Sequence, residues 1–188
     1  MTTVAIILHV LFILCLTSSV VPRSVGLVKA DDKPSQKVWI PVMFGLSQGI
    51  MALLGFTLSR LMAHLFTYIA EYMVFVMMLV VAVKLFVDSI RILKGKMMYT
   101  LSSDKDILLL TILAAFNTFL YGLVSAFFAP FGIWFFPAVV VAGFLWAFFT
   151  VRVDFALGII KKVSFVEFAA AVFMVIIAIL YLFTELMT

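Results

Sequence analysis

Asn117 and Thr118, Ser47 and Gln48, and Thr17 and Ser18 stand inside long apolar runs of this 188-residue chain. Polar side chains at membrane depth are expensive, and they mark functional sites by default. Neutral hydroxyl and amide oxygens of this kind coordinate a cation or line a water-filled path. On that reading Thr17, Ser18, Gln48, Asn117 and Thr118 form one candidate transport pathway. The competing reading is interhelical hydrogen bonding, at roughly 0.6 kcal/mol per contact. Glu71 and Glu167 fall near the ends of apolar runs, where acids are more often interfacial than buried. They are candidate gating or coupling groups. Lys84 and Asp88 are spaced to pair on one helix face, a structural role.

Other chemistries find little support. His9 and His64 do not combine into a metal-ligand spacing, and no metal site is identified. The chain has no H-E-x-x-H motif and no recognisable nucleophile–histidine pair. Cys15 is the only cysteine, which excludes an internal disulfide and paired-thiol electron transfer. An enzyme is not expected, and neither is a cofactor.

The elements that must position these residues are apolar helices. The chain is 66% hydrophobic and 12% charged, against about 25% charge in a soluble domain. A spanning helix needs ~20 mostly apolar residues. Six such stretches can be read, at about Thr3–Val21, Val38–Leu58, Thr67–Val87, Ile107–Phe128, Phe131–Val151 and Phe165–Phe183. Little chain is left for a soluble catalytic domain. The net charge of +4 is a topology signal and not a nucleic-acid one.

Basic residues alternate between the loops. The first loop carries Arg23, Lys29, Lys33 and Lys37, the third Arg91, Lys94, Lys96 and Lys105, and the fifth Arg152, Lys161 and Lys162. The second has only Arg60 and the fourth has none. Basic loops stay in the cytoplasm. Loops one, three and five are therefore expected inside and both termini outside. The first stretch lacks a positive leader, so it is read as a retained helix and not a signal peptide.

The two halves echo one another. Ile7–Ser19 can be laid on Ile107–Phe119, and Tyr68–Phe75 on Ser164–Phe173, so that Glu71 meets Glu167. Asp88 then falls near Glu185. Three stretches per half is an odd number, so the halves would insert with opposite orientation, as in many secondary transporters. Residues 1–95 and 96–188 are the expected halves of a single membrane domain. Gly45 and Gly49 form a GxxxG pair suited to close helix packing, and Gly122 and Ser125 serve similarly. Asp104 or Asp106 is placed to start the fourth helix, and Trp39 reads as an interface anchor.

The polar cluster, the helix order and the loops resemble the MntP-type manganese efflux pump family. The run PVMFGLSQGIMALLGFTLSRLMAHLF, from Pro41, looks like that family's second helix. VFVMMLVVAVKLFVDSIR, ending in LKG, looks like its third helix and basic exit. LTILAAFNTFLYGLVSAFF and GIIKK fit the second half more loosely. The family carries intramembrane acids in helices one, two and four. Those positions fall here near Thr17, at Gln48, and at Asn117 or Thr118, all neutral. Manganese(II) favours carboxylate, carbonyl and water oxygens.

The resemblance implies an all-α integral membrane protein of six transmembrane helices in two inverted three-helix halves. It implies a small secondary transporter exporting a cation or small solute by alternating access, in a bacterial inner membrane. Manganese would be the divalent substrate, the lipid bilayer the surroundings, and a homodimer the assembly. The alternative is a non-transporting scaffold or partner subunit that has lost the acidic ion site.

Overall fold

The computed structural model describes residues 3–25, 27, 36–66, 70–95, 104–125, 134–153 and 157–186. Among these every regular element is a helix. In chain order they are α1 (Thr3–Thr17), α2 (Val20–Ser24), α3 (Gln36–Phe66), α4 (Ala70–Leu93), α5 (Asp104–Ala114), α6 (Phe116–Ser125), α7 (Phe135–Thr150) and α8 (Leu157–Leu186). Runs rich in Leu, Ile, Val and Phe have no surplus of polar residues to satisfy an open backbone, and a helix satisfies it internally. Large apolar side chains cover much of the outside, including Leu61, Val83, Phe149 and Phe165. That surface fits a membrane protein.

Three helices are long and apolar enough to cross a bilayer: α3 over Val38–Leu61, α4 over Tyr72–Leu93 and α8 over Ile159–Phe183. A fourth crossing is available if α5 and α6 count as one, bent by 42° at the single residue Ala115. The other two expected stretches look different. α7 has 16 residues. The first stretch divides into α1, which stops at Thr17, and the short α2, with a turn at Ser18 and Ser19 between them. Gly95, at φ +66°, ends α4 in the left-handed region that favours glycine. α5 begins at Asp104, where the sequence carries a start signal. The turn expected around Pro130 and Gly132 lies outside the described residues.

α3 packs along α6, α7 and α5, and α4 packs along α8. α7 also meets α1 and α2, and α8 meets α1 and α2. α4 touches α6, and α1 and α2 touch α6 and α5 respectively. Ring contacts and hydrogen bonds give the directions. Phe86 faces Phe168 and Ser89 faces Ser164, so α4 and α8 are antiparallel. Gly45 lies on Phe144 and Phe56 on Phe136, so α3 and α7 are antiparallel. Phe12 meets Tyr121 while Ser19 meets Ala114, so α1–α2 runs against α5–α6.

Glycines set how closely α3 approaches its neighbours. A Cβ on Gly55 would stand 2.4 Å from the Phe119 carbonyl oxygen, and one on Gly122 2.5 Å from that of Ala52. The expected GxxxG pair faces α7, where Cβ atoms on Gly45 and Gly49 would collide with Val140. The main apolar core gathers Leu16, Val74, Leu85, Val124, Val139 and Met174 from five helices.

Candidate functional site

The two helix interruptions are adjacent. Ser19 Oγ, in the turn between α1 and α2, donates to the Ala114 carbonyl at the end of α5 (2.6 Å). Trp146 Nε1 on α7 donates to the Leu14 carbonyl on α1 (3.2 Å). A helix that stops leaves carbonyls without intrahelical donors. Here side chains from other helices supply two donors close to those stops.

One polar group lies beside the α5–α6 bend. Thr118 Oγ1 is 3.0 Å from Gln48 Oε1 and 2.6 Å from the Ala115 carbonyl. A hydroxyl carries one hydrogen. If that hydrogen serves the shorter contact, Gln48 must meet Thr118 with its amide N–H. An amide turned by 180° does so and leaves Oε1 unspent. In either orientation Gln48 keeps one buried polar atom without a partner. Asn117 is fully buried, and neither its oxygen nor its nitrogen is hydrogen-bonded. Tyr121 Oη is also buried without a partner. Ser47 Oγ stands 2.8 Å from the Phe44 carbonyl of its own helix and 3.1 Å from the Thr111 carbonyl on α5.

The expected pathway residues therefore separate. Gln48 and Thr118 are joined, with Asn117 next in the chain. Thr17 and Ser18 are buried, but their hydroxyls bond back to Ile13 and Cys15 of their own helix. Neither hydroxyl donates to Gln48, Asn117 or Thr118. Thr57 is exposed and bonds to Leu53. The Glu71 side chain and the side chains of His9 and His64 lie outside the described residues. Trp39 is exposed, as suits an anchor.

A second, charged group lies between α2, α4 and α8. Asp88 Oδ2 accepts from Arg23 Nη2 at 3.3 Å and from Lys84 Nζ at 3.4 Å. Both Arg23 and Asp88 side chains are 5% exposed. Arg23 also donates to the Ser19 carbonyl (2.8 Å), so it spans from the interruption to α4. Lys84 Nζ stands 6.0 Å from the centre of the Phe116 ring, at the start of α6. Glu167 on α8 has no exposed surface and no hydrogen bond to either carboxyl oxygen. Arg23, Lys84 and Asp88 all lie within electrostatic range of it. Ser89 and Ser164 hydrogen-bond across α4 and α8 one turn away.

Two sequence readings are corrected by this group. Glu167 is buried, not interfacial, because α8 begins at Leu157 and carries residue 167 three turns into the bundle. Arg23 is not a loop charge: it stands in α2, after the Ser18–Ser19 turn, and is buried against Asp88. The Lys84–Asp88 pair forms as the spacing implies. The signal for Arg23 was available in principle. It follows the first apolar run by only two residues, and Asp88 is the one acid in the long run from Tyr72 to Leu93.

Among the described residues no three His, Cys, Asp or Glu side chains converge as a metal cage would require. What the site offers is neutral oxygens near two helix ends, with a buried ionic cluster behind them. No family model, curated protein or solved structure matches the chain.

Proposed function

We propose that this chain is a small secondary transporter that exports a cation or another small solute by alternating access. The observation that carries the reading is the meeting of two interrupted helices, through Ser19 Oγ and the Ala114 carbonyl, beside the unpartnered amide of Asn117. Discontinuous helices paired at the interface of inverted repeats are a common way to build a transport site. Gln48, Asn117 and Thr118 line the solute position in this reading, with Ser19 in place of Thr17 and Ser18.

Packing supports two inverted halves, α1–α4 and α5–α8. Exchanging α1 with α5, α2 with α6, α3 with α7 and α4 with α8 turns one set of contacts into the other. The α3·α6 contact becomes α7·α2, α3·α5 becomes α7·α1, α4·α6 becomes α8·α2, and α2·α5 becomes α6·α1. The match is one of kind and not of extent: α3·α6 and α4·α6 are much more extensive than α2·α7 and α2·α8, and α1·α8 has no counterpart among the principal contacts. Equivalent elements are antiparallel, as opposite insertion demands. Six crossings, with α1–α2 and α5–α6 as interrupted spans and α7 as a short one, accommodate these directions. The halves then rock about the interruptions, in a bacterial inner membrane with both termini outside.

Manganese(II) remains the first solute to test, because the resemblance points to it and because carbonyl oxygens suit a hard ion. Cellular metal content in a manganese-sensitive, exporter-deficient host decides the matter. Cells expressing the chain should hold less manganese than empty-vector cells. An Asn117→Leu variant present in the membrane at equal level should restore the vector value. Unchanged content of every transition metal would remove the ion assignment. It would favour the scaffold reading, which has on its side that no acid set converges among the described residues.

A further inference from the structure

Glu167 raises a question that the solute site does not answer. A carboxyl group is held at zero exposure with nothing donating to either oxygen. A buried charge left without hydrogen bonds is costly, so this conformation suits the neutral acid. Yet two cations, Arg23 and Lys84, share the single carboxylate of Asp88 beside it. An ionised Glu167 would balance the second cation. The cluster therefore has two arrangements available, and they differ by one proton and one movement of Lys84.

Resting on the transport reading, we infer that Glu167 is the proton-exchange site that couples export to proton movement. The charged and titratable groups that face it come from each element packed on α8: Lys84 and Asp88 from α4, Arg23 from α2 and Cys15 from α1. When the halves rock, the O–H bond of Glu167 breaks and its electron pair stays on the carboxylate. The proton passes to water on the open side. Lys84 turns from Asp88 to the new carboxylate, and Asp88 keeps Arg23. Lys84 suits this exchange because its side chain is 24% exposed, looser than Arg23, and rides on a flexible stem. Arg23 stays, since it is also fixed to the Ser19 carbonyl. That bond joins the charge cluster to the interruption where the solute would sit, so solute and proton act on one element.

The chain has three glutamates, Glu71, Glu167 and Glu185. Infrared difference spectra of the full chain in liposomes, with isotope-labelled glutamate, read their protonation directly along a pH ramp. A label-shifted carboxylic-acid band that converts to carboxylate is expected for the wild type. Glu71 and Glu185 carry the label too, so Glu167→Gln should lose one labelled conversion and keep theirs. Glu167→Asp keeps a carboxyl group in place and should move the conversion to an unlabelled band. Labelled spectra in which neither variant loses a conversion relative to the wild type overturn the inference. A Glu167 conversion in a protein that moves no metal removes the ion assignment and leaves the proton site. Metal export without a Glu167 conversion does the reverse.

Discussion

Ser19 Oγ donates to the Ala114 carbonyl oxygen across 2.6 Å, joining the turn after α1 to the end of α5. The two residues are 95 apart in the chain. Each stands where a helix stops, and each stop leaves backbone groups to be satisfied. The bond thus makes one interruption depend on the other. Arg23 adds to the same point by donating to the Ser19 carbonyl.

Removing that hydroxyl should uncouple the interruptions without unfolding the bundle. Buried side-chain hydrogen bonds between membrane helices contribute ~0.6 kcal/mol on average and at most about 1.7. Ser19→Ala is expected to lose stability in that range, measured by detergent-driven unfolding. Under the proposed transport reading, export should fall several-fold more than that loss explains. Ser19→Thr, which keeps a hydroxyl, should retain most activity. Full export by Ser19→Ala would show that the contact is packing alone.

Gln48 and Thr118 allow function to be separated from packing. Gln48→Leu leaves Thr118 its Ala115 bond, whereas Thr118→Val leaves the Gln48 amide with no partner at all. A stranded buried polar group costs ~1–3 kcal/mol, while replacing both partners by apolar groups can be nearly neutral. The order of stability should be wild type close to the double variant, then Gln48→Leu, then Thr118→Val. Export should be lost in all three variants. A double variant that is stable and still exports would reduce this pair to a structural bond.

Much of the outline could be read in the sequence, and the reasons differ by element. α3, α4 and α8 are apolar over more than a bilayer's thickness, so length alone identifies them. Gln48 and Thr118 stand out as polar residues inside apolar runs, and a hydrogen bond joins them. The interruptions were not legible. Ser18 and Ser19 are followed by more apolar residues, and hydropathy continues across Ala115 without a sign. The turn at Ser18–Ser19 is what brings Arg23 inside, so the charged cluster was hidden with it. Thr17 and Ser18 stand out by type, and both hydroxyls donate to carbonyls of their own helix. Glu167 was misread because distance from a span end was counted from Phe165, while α8 starts well before it.

Gly122 and Gly55 meet where α6 crosses α3. A Cβ on Gly122 would press on the Ala52 carbonyl at 2.5 Å and on the Gly55 Cα at 3.0 Å. Both are backbone atoms, so no side chain can swing away. Gly122→Ala must separate the helices, and overpacking of this kind costs about 1–3 kcal/mol. The bend at Ala115 is only two turns away, so the Gln48–Thr118 contact should open too. Reduced thermal stability with reduced export is expected. Gly95→Ala acts elsewhere: its Cβ would meet nothing within 4 Å, and only its left-handed backbone resists. That variant should lose ~1 kcal/mol and keep export. Equal damage from the two would contradict the close approach of α3 and α6.

Asp88 should be the most sensitive member of the charged cluster. Its Oδ2 serves two cations, at 3.3 and 3.4 Å. Asp88→Asn leaves Arg23 buried without a counter-ion, and breaking a buried pair from one side costs about 3–5 kcal/mol. Arg23→Met leaves the Lys84 contact in place and should cost less. Arg23→Met combined with Asp88→Asn should be less damaging than the sum of the single variants, since groups in one network do not add. Unfolding midpoints in mixed micelles read all three. Strict additivity would mean that the two side chains do not hold each other. In that case α2 would be kept in the bundle by Val20 and Val21, both fully or nearly fully buried, and not by its charge.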